Sequence, residues 1–319
     1  MAYTIESKRL ELMALGAAAL VLVVLPPVFP TYVVILLSQT MIYAIVAMSL
    51  DILIGYTNLG SLGHAAYFAI GAFTTAILET RYNASFGVSL FSSIGMATGA
   101  SALIGVLALR ATGIYFLLIT MAIAMSIWGL IYRWASLTGG DNGISDVPRP
   151  DFGPFVNLSD HVHFHYFVLF FFIICLILIV LLVRSPFGRT LVGIRDSESR
   201  MKVLGYNVWL HKYLAFVIAG AFAGLGGSLY AYFNRFVGPN DADLGQCMEF
   251  VLMVSIGGQG TLVGANIGAL LITFMRNMAS VYTNRYLLIL GLVYVVTAKY
   301  APEGLMGLFR RFGRRREAE

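Results

Sequence analysis

RSPFGRTLVGIRDSESRMKVLGYNVWLHK, residues 184–212, is a basic island set between two apolar runs that are each long enough to cross a bilayer. It carries six of the chain's 21 Lys and Arg residues but only two acids, Asp196 and Glu198. Lys and Arg collect on the cytoplasmic side of membrane proteins, so the island is expected to face the cytoplasm. That placement orients the segments on either side of it.

The rest of the composition agrees with a membrane setting. The 319 residues are 59% hydrophobic and 12% charged, with a mean hydropathy of +0.81. An ordinary soluble domain has about 25% charged residues. Continuous apolar runs exclude a transmembrane barrel, whose strands alternate apolar and polar residues over about ten positions. The expected fold is therefore all-α, a polytopic bundle of transmembrane helices. The net charge of +5 sits at span ends and in the island, so the membrane accounts for it and no nucleic acid is implied. Cys175 and Cys247 lie inside apolar segments without metal-ligand spacing and read as packing residues.

Ten candidate spans cover about 10–28, 32–55, 62–78, 89–109, 114–132, 164–183, 213–232, 242–257, 262–280 and 286–300, judged against the roughly 20 residues that cross hydrocarbon. The first run lacks a convincing cleavage site and reads as a retained span. Lys8 and Arg9 place the N-terminus inside. Five crossings then put the acidic loop 134–163 outside, and a sixth returns the island to the cytoplasm. The tail 301–319, with Arg310, Arg311, Arg314, Arg315 and Arg316, also reads as cytoplasmic, which requires an even number of further crossings. The pair 242–257 and 262–280 is joined by five residues only. If it formed one broken helix, the count would fall to nine.

Within the island, Leu191, Ile194, Met201 and Leu204 recur at helical spacing, and Asp196–Arg200 and Glu198–Lys202 form i, i+4 acid-to-base pairs. A surface helix of about four turns is expected over 190–204, stopped at Gly205. Two glycine-rich stretches interrupt the spans elsewhere: GYTNLGSLGHAAYFAIGAF at 55–73 and IGGQGTLVGANIGA at 256–269. Both contain Gly-Ser/Thr-Leu followed by glycine, an echo that suggests duplicated halves with broken helices meeting near the midplane. The first reads either as a discontinuous element along a solute path or as tight packing with a satisfied histidine. Gly220, Gly224 and Ser228 make a small-residue face for close helix approach. Asp51, Glu79 and Glu249 lie in or beside apolar runs, where structural hydrogen bonding competes with function. No phosphate-binding G-x-x-x-x-G-K-[ST] loop, no hydrolase motif and no Cys/His cluster occurs in the sequence, so neither catalytic nor metal-binding residues are expected.

Five segments together resemble a known family: the glycine stretch at 55–73, SPFGRTLVGIRDSESRMKVLGYNV at 185–208, KYLAFVIAGAFAGLGGSLYA at 212–231, the second glycine stretch at 256–269, and YLLILGLVYVVTAKYAPEGLMGLFRR at 286–311. In this order they resemble the M-type permease subunit of branched-chain amino acid ABC importers. The resemblance implies a bacterial or archaeal cytoplasmic-membrane importer with an H-type permease, two cytoplasmic ATPases that carry ATP and Mg, and an external solute-binding protein. It implies that Leu191, Ile194, Arg195, Glu198, Met201, Leu204 and Gly205 belong to a helix coupling this chain to an ATPase, although the common Glu-Ala-Ala-x-x-x-Gly signature is absent. It also implies that Thr138, Gly139, Gly140, Asp141 and Asn142 face the binding protein. Asn58, Ser61, His64 and Gln259 are the candidates for the solute path.

The function expected on this reading is that of a permease subunit moving branched-chain amino acids or a related small polar solute, as a heterodimer with the H-type chain. A stand-alone ion-coupled transporter or channel is the alternative. For the topology, Asn142→Cys is expected to react with an impermeant thiol reagent applied outside, and Ser197→Cys to be protected. The reverse pattern would invert the orientation.

Overall fold

A computed structural model describes Pro26 and residues 29–151, 158–282, 286–300 and 304–307. The expected first span and the basic tail beyond residue 307 lie outside the described residues. Among the described residues, eight helices carry the bundle: α1 Thr31–Thr57, α2 His64–Tyr82, α3 Phe86–Ala108, α4 Ile114–Arg133, and, after the short α5 Ala135–Thr138, α6 His161–Arg184 and α9 Val208–Asn234, followed by α10 Leu244–Gly257 and α11 Leu262–Tyr282. Between α6 and α9 lie the short α7 Pro186–Asp196 and α8 Glu198–Val203, and Tyr286–Tyr300 forms α12. Among the described residues, six helices (α1, α3, α4, α6, α9 and α11) are long and apolar enough to cross a membrane.

The bundle is built around α1, whose best apolar window is 78% buried. Helices α6, α9, α10 and α11 pack against it, while α2, α3 and α9 form a second tight group. Outward-facing positions are apolar: Phe91 and Leu103 on α3, Ile114 and Tyr115 on α4, Phe170 and Leu181 on α6, and Leu270 and Phe274 on α11 are all exposed. An apolar surface this broad is a liability in water and matched in lipid.

Small residues set the helix separations. A Cβ added at Gly227 would collide with the Phe68 carbonyl, and one at Gly224 with the Ala97 side chain. The row of small residues on α9 therefore packs within the subunit, against α2 and α3. Several polar groups in the interior are paired across helices, as a bundle in lipid favours. Thr75 on α2 hydrogen-bonds to Ser93 on α3 at 2.6 Å and to Ser228 on α9 at 2.7 Å. Ser38 on α1 meets His165 on α6 at 3.1 Å. The Tyr232 hydroxyl donates to the buried Glu79 carboxylate at 2.6 Å.

The four residues between α10 and α11 form a tight corner, so the region expected as two close segments folds as a hairpin of two separate helices. Gly257 packs on Gly264, Gly268 on Met253, and Glu249 pairs with Arg276, an antiparallel sequence of contacts. Helix α10 has 14 residues, about 21 Å at 1.5 Å per residue, and so is shorter than the hydrocarbon layer.

At the opposite end, Ile144–Ser145 (β1) pairs antiparallel with Phe236–Val237 (β2). Thr138 donates to the Ile131 carbonyl at 2.6 Å and accepts the Gly140 N–H, while Gly139 and Gly140 adopt positive φ. Thr138 and Gly140 thus build the turn, and Asp141 and Asn142 stay on its surface. Nearby, burial pushes the Asp241 carboxyl up to about 6, opposed by hydrogen bonds from the Gly238 N–H and Tyr230.

Tyr232→Phe is expected to cost about 1–3 kcal/mol, because it leaves a buried carboxylate without its donor. Thermal unfolding of the detergent-solubilised protein should show this loss, and adding Glu79→Gln should return part of it. Equal stability of Tyr232→Phe and the parent would contradict the pairing.

Candidate functional site

The two glycine-rich stretches meet. Helix α1 ends where Asn58 turns left-handed at φ 57°, and its last turn touches the corner between α10 and α11. Asp51 Oδ1 accepts the Gly260 N–H at 2.7 Å. A side chain at Gly55 would overlap the Gly260 backbone and the Asp51 carboxylate, so the close approach depends on glycine there. Gly260 itself adopts φ +73°, a conformation that favours glycine.

A third element closes the junction from the basic island. Arg195, in the last turn of α7, donates from Nη1 to the Gly55 carbonyl at 2.8 Å. Its Nε and Nη2 hold Asp196 Oδ1 at 3.3 and 3.2 Å. One guanidinium thus joins the exposed edge of the island to the backbone of the central helix. Asp51 is fully buried, and its second oxygen, Oδ2, has no hydrogen-bond partner among the described residues. The short segment at Gly304 packs on Gly258 from below, since an added Cβ there would lie 2.6 Å from the Gly258 nitrogen.

The island differs from the single helix expected over 190–204. Ser197 is extended, with φ −166°, and separates α7 from α8. Its side chain caps the new helix by accepting the Arg200 N–H at 3.4 Å, and Ser185 likewise caps α7 through the Gly188 N–H at 3.3 Å. The expected i, i+4 pairs are replaced: Glu198 bonds to Lys212 on α9, and Asp196 to its neighbour Arg195. The break also splits the expected apolar face. Leu191 and Ile194 are each 1% exposed, turned into this chain's own bundle, whereas Leu204 is 70% exposed. Gly205 ends α8 as expected, at φ +85°.

Between the two short helices lies an open groove of about 580 Å³, lined by Phe187, Arg189, Met201, Leu204, Tyr206 and His211. The rings of Phe187 and His211 stack at 5.7 Å. Val203 stands beside the groove and is 88% exposed.

The four path candidates do not gather in one cavity. Asn58 and Gln259 are exposed, with Gln259 Nε2 bonded to Ser255 at 3.4 Å. Ser61 is buried and accepts the Gly63 N–H at 3.2 Å. His64 is buried and meets Ser49 at 2.7 Å. Ser49 donates to the Val46 carbonyl at 2.7 Å, so His64 Nε2 carries the proton and Nδ1 is the nitrogen without a partner. Ser61 and His64 thus sit in the packed interior, each bonded to a near neighbour.

Arg276 was not among the sequence candidates. Its Nη1 donates to Glu249 Oε2 at 2.8 Å and to the Tyr43 hydroxyl at 3.2 Å. The readable signal was a base and an acid in neighbouring apolar runs, each expensive alone in a membrane.

These features define a polytopic helical membrane protein, and its relatives place it in the class of transport permeases. The family described as "Branched-chain amino acid transport system / permease component" matches residues 32–298, and the chain belongs to it. Among similar proteins, the high-affinity branched-chain amino acid transport system permease protein LivM of Escherichia coli (strain K12) is 30% identical over 86% of this chain and 69% of its own length. The corresponding Salmonella typhimurium protein is 29% identical with the same coverage. A probable branched-chain amino acid transport permease protein of Methanocaldococcus jannaschii is 25% identical over 79% of this chain and 83% of its own length. No solved structure matches.

Gly260→Ala places a Cβ at a left-handed residue, which costs about 1–2 kcal/mol before any contact is counted. A melting temperature several degrees below the parent is expected, about 2–4 °C per kcal/mol for a domain of this size class. Gly99→Ala, where an added Cβ meets open space, should not lower it. Equal melting of the two variants would remove the junction from the account.

Proposed function

We propose that this chain is the permease subunit of an ATP-driven importer of branched-chain amino acids, working beside a second permease, two ATPases and an external solute-binding protein. Membership of the permease family over most of the chain carries the reading. On it, ATP and Mg act on the partner ATPases.

The proposed topology has ten spans with both termini in the cytoplasm. Six of them are the long apolar helices; α2, α10 and α12 are shorter or less apolar, and the remaining one is the first run at about 10–28. With the island inside, α1 descends toward the cytoplasm and the turn at 138–142 faces the binding protein. Asp141 and Asn142 are its exposed members.

The ATPase would dock on the groove between α7 and α8, with Val203 and Leu204 as apolar anchors at its rim. Leu191 and Ile194 then act from the other side, fixing α7 to the bundle so that a push on the groove is not lost. Arg195 passes the displacement to Gly55, and Gly55 to the α10–α11 corner through Gly260. The solute path opens or closes as that corner moves relative to the partner permease.

Leu204→Asp in the complete importer, expressed with its genomic neighbours, is expected to release the ATPase on purification and abolish leucine uptake into proteoliposomes. A parent chain that accumulates leucine alone on an imposed ion gradient, with no ATPase co-purifying, would establish the stand-alone transporter instead.

A further inference from the structure

The intramembrane charges are not all sealed from their surroundings. Asp51, Glu79 and Glu249 are buried, but the Arg276 side chain keeps 24% of its surface exposed. Nη1 makes both of its hydrogen bonds, to Glu249 and Tyr43, and its guanidinium sits 5.6 Å from the Tyr43 ring centre. Among the described residues, Nη2 and Nε have no protein acceptor, so part of the donor fork points away from the pair.

Other polar groups stand in line with it. At 100° per residue, Asn266, Thr273, Arg276 and Asn277 fall within one sector of α11, along the edge facing α1. Asn277 bonds to Gln39 of α1 at 3.2 Å, and Asn266 reaches Met48 of α1 at 3.2 Å. Both amides also donate to their own helix, to the Leu262 and Thr273 carbonyls, while Thr273 Oγ1 and Asn266 Oδ1 are buried without a partner among the described residues. The adjoining sector carries the exposed apolar Leu270, Phe274, Met278 and Val281. From Asn266 to Asn277 the row covers about 16 Å of helix, half the depth of a bilayer.

Lipid chains cannot satisfy such a row, and a partly open guanidinium facing them is strongly disfavoured. Water or a polar solute can. We propose that this edge of α11 is a wall of the aqueous solute path, with Arg276 receiving the carboxylate of the passing amino acid. The identity of the permeant rests on the functional reading above; the wall and its preference for anions do not.

Glu249 gives the site its transport character. A lone arginine in a low-dielectric path would hold a carboxylate tightly and impede release. Glu249 on Nη1, with Asp241 close enough to interact with the same charge, weakens that attraction, so the free side of the fork offers hydrogen bonds of fixed direction rather than a deep electrostatic well. Solute is guided without being trapped.

The test uses the complete importer in proteoliposomes, on a Cys175→Ala/Cys247→Ala background. Asn266→Cys and Asn277→Cys are treated with a sulfonate-bearing or a trimethylammonium-bearing methanethiosulfonate, and Phe274→Cys serves as the apolar-face control. Both row positions should react, and Phe274→Cys should not. Relative to a free thiol, the anionic reagent should be favoured about tenfold, and Arg276→Gln should remove that preference. Leucine uptake should fall at least tenfold in Arg276→Gln/Glu249→Gln, which removes both charges together, while ATP hydrolysis persists.

Unreactive row positions, the absence of an anion preference, or leucine uptake by the doubly neutral variant within twofold of the parent would each overturn the proposal. If the doubly neutral variant does not assemble, the reagent rates with Arg276 in place decide. A parent importer that takes up no leucine refutes the functional reading alone.

Discussion

A backbone N–H inside a helical bundle must find an acceptor within the protein, and where α10 turns into α11 that acceptor is a buried carboxylate. Asp51 takes the Gly260 N–H at 2.7 Å, which fixes the corner to the central helix. The absence of a side chain at Gly55 brings the two backbones close enough for this bond. Arg195 then reaches the same turn of α1 from outside, through the Gly55 carbonyl. Three parts of the chain more than 50 residues apart in sequence share one contact. Bonds to charged partners contribute about 1.5–3 kcal/mol each, enough to keep the parts in register during a displacement.

This arrangement assigns different tasks to the two sides of the basic island. Its inner side, Leu191 and Ile194, is part of the bundle's packing. Its outer side, with Val203 and Leu204 beside the groove, exposes apolar surface that the described chain does not cover. The extended Ser197 makes the division possible by letting α8 turn away from α7, and the Glu198–Lys212 pair holds α8 to the start of α9. The island is thus joined to the membrane part at both ends and through Arg195 between them.

Much of the fold was legible because its signals are composed of many residues. Apolar runs and the small-residue row of α9 each reflect a requirement imposed by lipid or by close helix contact. Gly205 stopped its helix where a left-handed residue was expected. What was not legible depended on single long-range partners. Nothing local to 190–204 shows that Ser197 is extended, because helical spacing and charge pairs both continue through it; the competing bond to Lys212 is made by a residue 14 positions from Glu198. The glycine stretches were recognised as unusual, but that they touch each other follows only from the packing of α1 against the α10–α11 hairpin. Ser61 and His64 drew notice because polar groups are rare in spans; both are buried and bond to near neighbours, which only the packing reveals. Arg276 was overlooked for the converse reason: its place in the pattern appears only once Glu249 and Tyr43 are seen around it.

The account's central claim is that the Arg195–Gly55–Gly260 junction moves as one body. Spin labels at Ser199→Cys and Gln259→Cys, on either side of the junction, report this through their separation in the resting importer and in one trapped with nucleotide. The account predicts a single narrow distance distribution that is the same in both states, and that broadens when Arg195 is replaced by Gln. A distribution that shifts between the two states of a transport-competent importer would contradict it.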